Sequence, residues 1–217
     1  MISDTHGMHD DLGRLSGDVL IHCGDFEDLF SRSSDELDEA DDWLGQQDFD
    51  LILCTGGNHD LALERRVQDG VQPLRNAAYL QDSEFVWRGV RFYGAPWVPD
   101  LYGHAFYADD RALTDAWDTI PQNVDVLITH TPPRGILDVS SRGDVLGCPH
   151  LTDRLKSVKP ALHCFGHVHH SSGHQSVGGT THVNASVIGK AYEIAHPPFV
   201  FDLDIETMAG AGAGNGG

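Results

Sequence analysis

The run Leu51-Ile52-Leu53-Cys54-Thr55-Gly56-Gly57-Asn58-His59-Asp60 decides the fold. Its first four residues are apolar without alternation, the pattern of a strand buried on both faces, as in a parallel sheet. The glycines end that strand, and an amide, an imidazole and a carboxylate follow, side chains that bind cations or move protons. Leu61 to Val67 then continues as a helix. Strand, glycine turn, polar cluster and helix form one unit of an α/β fold, in which sites gather outside the carboxyl ends of the strands.

The unit recurs on both sides. Upstream, Val19-Leu20-Ile21-His22-Cys23 is a buried strand ending in Gly24-Asp25. Ser33 or Ser34 is then the predicted N-cap of an amphipathic helix carrying Leu37, Ala40 and Leu44, with Glu36 near the capping-box position. Residues 7 to 18 between Asp4-Thr5-His6 and that strand read as a short helix and loop. Downstream, Ala77 to Leu80 is a short strand and Phe85 to Tyr93 a hairpin about Arg88-Gly89. Asp109 or Asp110 caps a helix on Ala112, Leu113, Ala116 and Trp117. Val124 to Thr129 is a third buried strand, delivering His130 before Pro132-Pro133, which can continue neither helix nor central ladder. His150 to Val158 is helical up to Pro160, and Ala161 to Phe165 is a fourth strand, delivering Gly166-His167-Val168-His169. Thr180 to Val183 and Phe199 to Leu203 read as further strands, with Asn184-Ala185-Ser186 as a turn.

Every one of these strands ends in ligand-type residues, and Asp4-Thr5-His6 sits where a first strand would end. A carboxylate and an imidazole two residues apart in extended chain point to one side and can share a cation, as can His167 and His169. Oxygen and nitrogen donors without thiolates suit Mn, Fe or Zn and not a structural Cys-type zinc site. Ala95 to Tyr107, aromatic, Pro-containing and non-periodic, is too long for a mere connector and reads either as a binding wall or as simple surface packing.

Composition sets the frame. At 217 residues and 40% hydrophobic the chain is predicted to form a single domain over residues 1–208, with the Gly/Ala-rich 209–217 as a disordered tail. No apolar run could span a bilayer and the N-terminus shows neither a basic n-region nor an h-region, so a soluble, cytoplasmic protein with no membrane partner is expected. Cys23, Cys54, Cys148 and Cys164 lack C-x-x-C spacing and read as small buried hydrophobes of a reducing compartment. A formal charge of -19 argues against a surface for a nucleic-acid polymer. The acidic run Asp35 to Asp42 reads as a solvated helix face, and the overall acidity fits adaptation to high salt.

In order and type, Asp4-x-His6, Gly24-Asp25, Gly57-Asn58-His59-Asp60, Thr129-His130 and Gly166-His167-Val168-His169 resemble the five blocks of the calcineurin-like metallophosphoesterase superfamily, over residues 4 to 169. Ile2-Ser3-Asp4-Thr5-His6-Gly7, His22-Cys23-Gly24-Asp25-Phe26, Thr129-His130-Thr131-Pro132-Pro133 and Asn184-Ala185-Ser186 are similar, more narrowly, to the metallophosphoesterase-domain-containing branch of phosphodiesterases. The resemblance implies an α/β/β/α sandwich of two mixed sheets and two divalent or trivalent metal ions. Asp4, His6, Asp25 and His169 would hold one ion. Asp25 would bridge to a second held by Asn58, His130 and His167, and His59 would be catalytic.

The implied reaction is hydrolysis of a small phosphodiester such as a cyclic nucleotide, with a metal-bridging hydroxide as nucleophile and His59 assisting the leaving group. A phosphomonoesterase or a non-catalytic scaffold on the same fold are the rival readings. Asp60 is expected either to orient His59 or to cap the helix that begins there. His104 and His170 are candidate substrate contacts, whereas His22, His150, His163, His174, His182 and His196 are expected at the surface or hydrogen-bonded in the interior. The family also places an apolar strand before Asp4, where only Met1-Ile2-Ser3 stand. A truncated first strand and a fraying pair of ligands are therefore expected, from a start assigned too late or a shortened chain.

Overall fold

The computed structural model describes residues 1–28 and 34–204. Ser33, the side chain of Ser34, residues 205–208 of the expected domain and the 209–217 tail lie outside the described residues. Three parallel strands, β1 (Ser16–His22), β2 (Asp48–Cys54) and β3 (Ala78–Tyr79), form one sheet in that order. The second sheet holds β4 (Ser83–Trp87), β5 (Val90–Ala95), β6 (Val126–Thr129), β7 (Leu162–Phe165), β8 (Gly173–Val177) and β9 (Thr180–Asn184), in the order β4-β5-β6-β7-β9-β8. Only this larger sheet is mixed: β5, β6, β7 and β9 run parallel, while β4 and β8 are antiparallel edges. The smaller sheet is wholly parallel, because each of its strands returns through a helix or long loop.

Among the described residues four helices cover the sheets: α1 (Ser34–Leu44), α2 (Leu61–Gln68), α3 (Asp110–Asp118) and α4 (Pro149–Val158). Three apolar clusters fill the spaces between the four layers. Leu37, Ala40 and Leu44 of α1 and Leu63 of α2 pack on Leu20, Ile52 and Cys54. Ile21 and Leu53, on the other face of that sheet, meet Phe92, Val126, Ile128, Cys164 and Val183 of the second. Tyr93, Ala95 and Leu127 are covered by Leu113 and Trp117 of α3 and Leu151 and Leu155 of α4. The uninterrupted apolar strands of the sequence are thus the ones with both faces covered. The outcome is an α/β/β/α sandwich.

Local chemistry explains several boundaries. Arg88 and Gly89 take positive φ of 47° and 84°, as a tight two-residue hairpin requires. The Asp109 carboxylate accepts from Ala112 N at 2.9 Å and starts α3. β8 has no apolar alternation to betray it, since its Gly-His-Gln-Ser-Val sequence forms a largely exposed edge paired only with β9. Phe199–Leu203 is not a strand. Phe199 exchanges two backbone hydrogen bonds with Met1, and Phe199, Phe201 and Leu203 lie against the inter-sheet core without a ladder.

The short start of the chain is held from both sides. Ile2 N donates to Ile21 O, Cys23 N to Ile2 O, and Val187 N to Ser3 O, so Ile2 bridges to β1 and Ser3 to Ser186. Asp4 and His6 therefore do not fray as the sequence suggested: Asp4 N and His6 N are bonded to Gly24 O and Asp25 O. At the amino ends of β1, β5 and β7, remote from these residues, the sheets part around a cavity of about 430 Å³ lined by apolar side chains including Val19, Phe49, Trp87 and Phe199. Among the described residues no helix is long and apolar enough to cross a membrane.

Candidate metal centre

The parallel strands bring the seven predicted ligands to one end of the sandwich. Asp4 and His6 follow the Ile2-Ser3 bridges, Asp25 follows β1, Asn58 follows β2, His130 follows β6, and His167 and His169 follow β7. Asp4, Asp25, His6, His130 and Asn58 are buried, and His167 and His169 half-buried. Ligand atoms of Asp4, His6 and His169 lie within 4.8 Å of one another, as do those of Asp4, Asp25 and His130. The Asp25 carboxylate stands between the two halves, with Oδ2 3.7 Å from His6 Nε2 and 3.4 Å from His130 Nε2.

The backbone at these residues is not extended. Asp4, His6, Asp25 and His167 have φ of 59°, 43°, 59° and 68°, and His169 opens a short 3-10 turn. Convergence comes from left-handed turns rather than from the side-to-side alternation of a strand. Such turns cost roughly 1–2 kcal/mol per non-glycine residue and persist where the surroundings over-determine them.

Hydrogen bonds fix which ring nitrogens face the centre. His6 Nδ1 bonds Glu27 O at 3.0 Å and His130 Nδ1 bonds Cys23 O at 2.8 Å, so each ring donates there and turns an Nε2 lone pair inward. His130 Nε2 then lies 3.0 Å, and His167 Nδ1 2.8 Å, from Asn58 Oδ1, itself an acceptor. Asn58 Oδ1, the inward-facing Nε2 atoms of His6 and His130 and two buried carboxylates converge here, and this nitrogen and oxygen donor set fits a cation. Without it, protons take that place. Burial pulls the His130 imidazole down, but the adjacent Asp25 carboxylate outweighs burial and pushes its pKa up to about 9. Burial alone raises carboxylates, yet His169 beside Asp4 and His130 beside Asp25 hold both acids below the usual range.

A family model described as calcineurin-like phosphoesterase matches residues 1–171. The chain belongs to the calcineurin-like phosphoesterase family. Metallophosphoesterase domain-containing protein 1 of Homo sapiens is 39% identical over 228 residues, covering 93% of this chain and 69% of that protein. UPF0046 protein K07C11.7 of Caenorhabditis elegans is 36% identical over 224 residues, covering 96% and 76%. The fold matches the crystal structure of TT1561 of Thermus thermophilus with a TM-score of 0.53 at 14% identity, over 84% of this chain and 86% of that one. Another solved chain matches with a TM-score of 0.60 at 18% identity, over 84% and 88%.

For this calcineurin-like phosphoesterase, a metal-dependent hydrolase by family, the residues around the ligands divide into rim and support. His59 is half-buried at the rim; its amide donates to Asp25 Oδ1 at 2.8 Å and its ring stands edge-on to His6 at 5.0 Å. Burial lowers its pKa. His104 is exposed, edge-on to His59 at 5.6 Å, on the predicted aromatic loop, which Ala105 N ties to Asn58 O. His170 is exposed on the 3-10 turn that His169 opens.

Asp60 does not orient His59. Its four acceptor positions are taken by backbone amides, Oδ1 by Phe26 and Glu27 and Oδ2 by Asp25 and Gly57, at 2.7 to 3.1 Å. Nor does its side chain cap α2. It clamps the turn after β1 to the turn after β2, which holds Asp25 against Asn58. The cap of α2 is supplied by Glu27, a residue the sequence reading passed over, whose carboxylate accepts from Ala62 and Leu63 N. Nothing local marks that role, since the partners lie 35 and 36 residues away. His22 is a second support: Gly24 N donates to its Nδ1, so Nε2 donates to Thr5 Oγ1 at 3.0 Å and ties the two ligand turns together.

Proposed function

We propose that this chain is a two-metal phosphodiesterase acting on small phosphodiesters such as cyclic nucleotides. The observation that carries the reading is Asp25, one carboxylate reaching both ligand halves while its other oxygen takes the His59 amide. When bound, the two cations supply Lewis acidity at the phosphoryl oxygens and a nucleophile at neutral pH.

The chain's own residues do the rest. Asp60 and His22 hold the ligand turns in register. His59, fixed at its backbone to Asp25 and free of ligand duty, presents its ring to the leaving oxygen and donates the proton that oxygen needs. The acidic balance, 33 acidic against 14 basic residues, favours a monoanionic diester over the dianion of a monoester. The donor set supports Mn, Fe or Zn as the metals. Four free buried cysteines support a reducing compartment such as the cytoplasm, and the formal charge of -19 supports a small phosphoester, and not a nucleic-acid polymer, as the partner. The test is relative turnover of bis-p-nitrophenyl phosphate and p-nitrophenyl phosphate by Mn-loaded protein. Faster hydrolysis of the diester is expected; a faster monoester, or no turnover of either, overturns the reading.

A further inference from the structure

Five rings form an arc across the ligand cluster: Tyr192, His169, His6, His59 and His104. Successive centroids lie 5.9, 5.3, 5.0 and 5.6 Å apart, and each ring stands edge-on to the next. The middle of the arc is the site; its two ends, Tyr192 and His104, are exposed. A diester has two arms. If His59 serves the leaving oxygen, the leaving arm of an acyclic diester would extend toward His104 and the arm that stays on phosphorus toward Tyr192.

Tyr192 also carries a conformation that needs a reason. Its φ is 55°, a left-handed value rare for an aromatic residue, and its side chain is 54% exposed, so no core packing demands it. The turn is built to hold that strain. Gly189 N donates to Glu193 O, Tyr192 N to Gly189 O, and Ile188 bridges to Ile194, with Ile188 fully buried. Strain in a turn bolted at its base, beside His169, marks a residue positioned for contact.

We propose that Tyr192 is the specificity-determining residue for the retained arm, and that this site takes phosphodiesters whose retained arm carries a planar ring, such as a nucleobase or an aryl group. The inference rests on the phosphodiesterase reading. A phenol ring with one side open to solvent offers a ring partner offset or edge-on contact worth about two- to tenfold in affinity.

The test compares bis-p-nitrophenyl phosphate with methyl p-nitrophenyl phosphate, which share a leaving group and differ only in the retained arm. In Mn-loaded wild type the KM for the first is expected to be lower, by up to about tenfold. Tyr192→Ala should remove that difference, raising the KM for bis-p-nitrophenyl phosphate to that for the methyl ester, and Tyr192→Phe should keep it. Tyr192→Gly removes the ring and the backbone strain together, so it reports even if the alanine variant folds poorly. Equal KM values in wild type, or a preference that survives loss of the ring, overturn the proposal. Calorimetric binding of phenylphosphonate and methylphosphonate separates this failure from failure of the phosphodiesterase reading. A phenyl preference that depends on Tyr192 upholds the subsite even without turnover, and no preference refutes it.

Discussion

Single residues at this site are chosen for what their backbone can do as much as for their side chains. Gly166 precedes His167, and a Cβ placed there would overlap Ser3 Oγ and Asp4 Oδ2. Gly166→Ala must therefore push Asp4 off its place, and bound Mn, measured by metal analysis after dialysis, is expected to fall well below the wild-type content. Retention of full metal would show that the Asp4 turn yields. His59 is the opposite case, a side chain that shares no hydrogen bond with Asp25, whose bond is to the amide, and meets His6 only edge-on. His59→Ala should lower kcat for a phosphodiester by roughly 10²–10⁴-fold with metal content unchanged. Undiminished hydrolysis would remove His59 from the mechanism.

At the scale of elements, the buried strands and their polar endings could be read from the chain because burial on both faces leaves an uninterrupted apolar signature, as in Leu51 to Cys54 and Leu162 to Phe165. The exposed edge β8 has no such signature, and Phe199–Leu203 carries a false one, being apolar because it covers the inter-sheet core rather than because it pairs. The convergence of ligand-type residues was legible because such chemistry restricts residue type. The supports were not, since Asp60 and Glu27 act through amides far away in sequence.

A further support runs across β6, β7 and β9. The Thr129 hydroxyl donates to Thr131 O, so it accepts from His163 Nε2, which leaves His163 Nδ1 to accept from His182 Nδ1. This directed chain ends beside His130 and requires a neutral His163, whose Nδ1 accepts, while burial keeps His182 neutral as well. Burial pushes His163 well below its ordinary value and His182 down to about 4. The unfolded chain takes those protons near pH 6.5, before the folded one does, so their contribution is fully present above about pH 6.5 and is lost as pH falls toward 4. The melting temperature of wild type is expected to drop between pH 7 and 5 more steeply than that of His182→Asn. Parallel slopes would show that the pair does not titrate in this window.

The whole molecule carries 33 acidic and 14 basic residues. Part of this acidity is structural. On α1, Asp41 is fully buried and accepts from Arg75 and Asn76 amides and Arg75 Nε, and Asp38 pairs with Arg66, so this helix is not the simple solvated face its composition suggests. Arg88 with Asp50 and Arg91 with Glu84 tie up further cations. Added salt then acts in two directions. It weakens those surface pairs, each worth about 0–1 kcal/mol, and it screens repulsion among the acids left over, as the Debye length falls from about 10 Å at 0.1 M to 3 Å at 1 M. With a formal charge of -19 the repulsive pairs outnumber the attractive ones, so screening wins. The melting temperature of the Mn-loaded protein should rise between 0.1 and 1 M KCl, and equally in NaCl, by about 2–4 °C for each kcal/mol of repulsion relieved. A flat or falling melting temperature would show that the paired arginines, and not the unpaired acids, dominate the surface, and would end the case for adaptation to high salt.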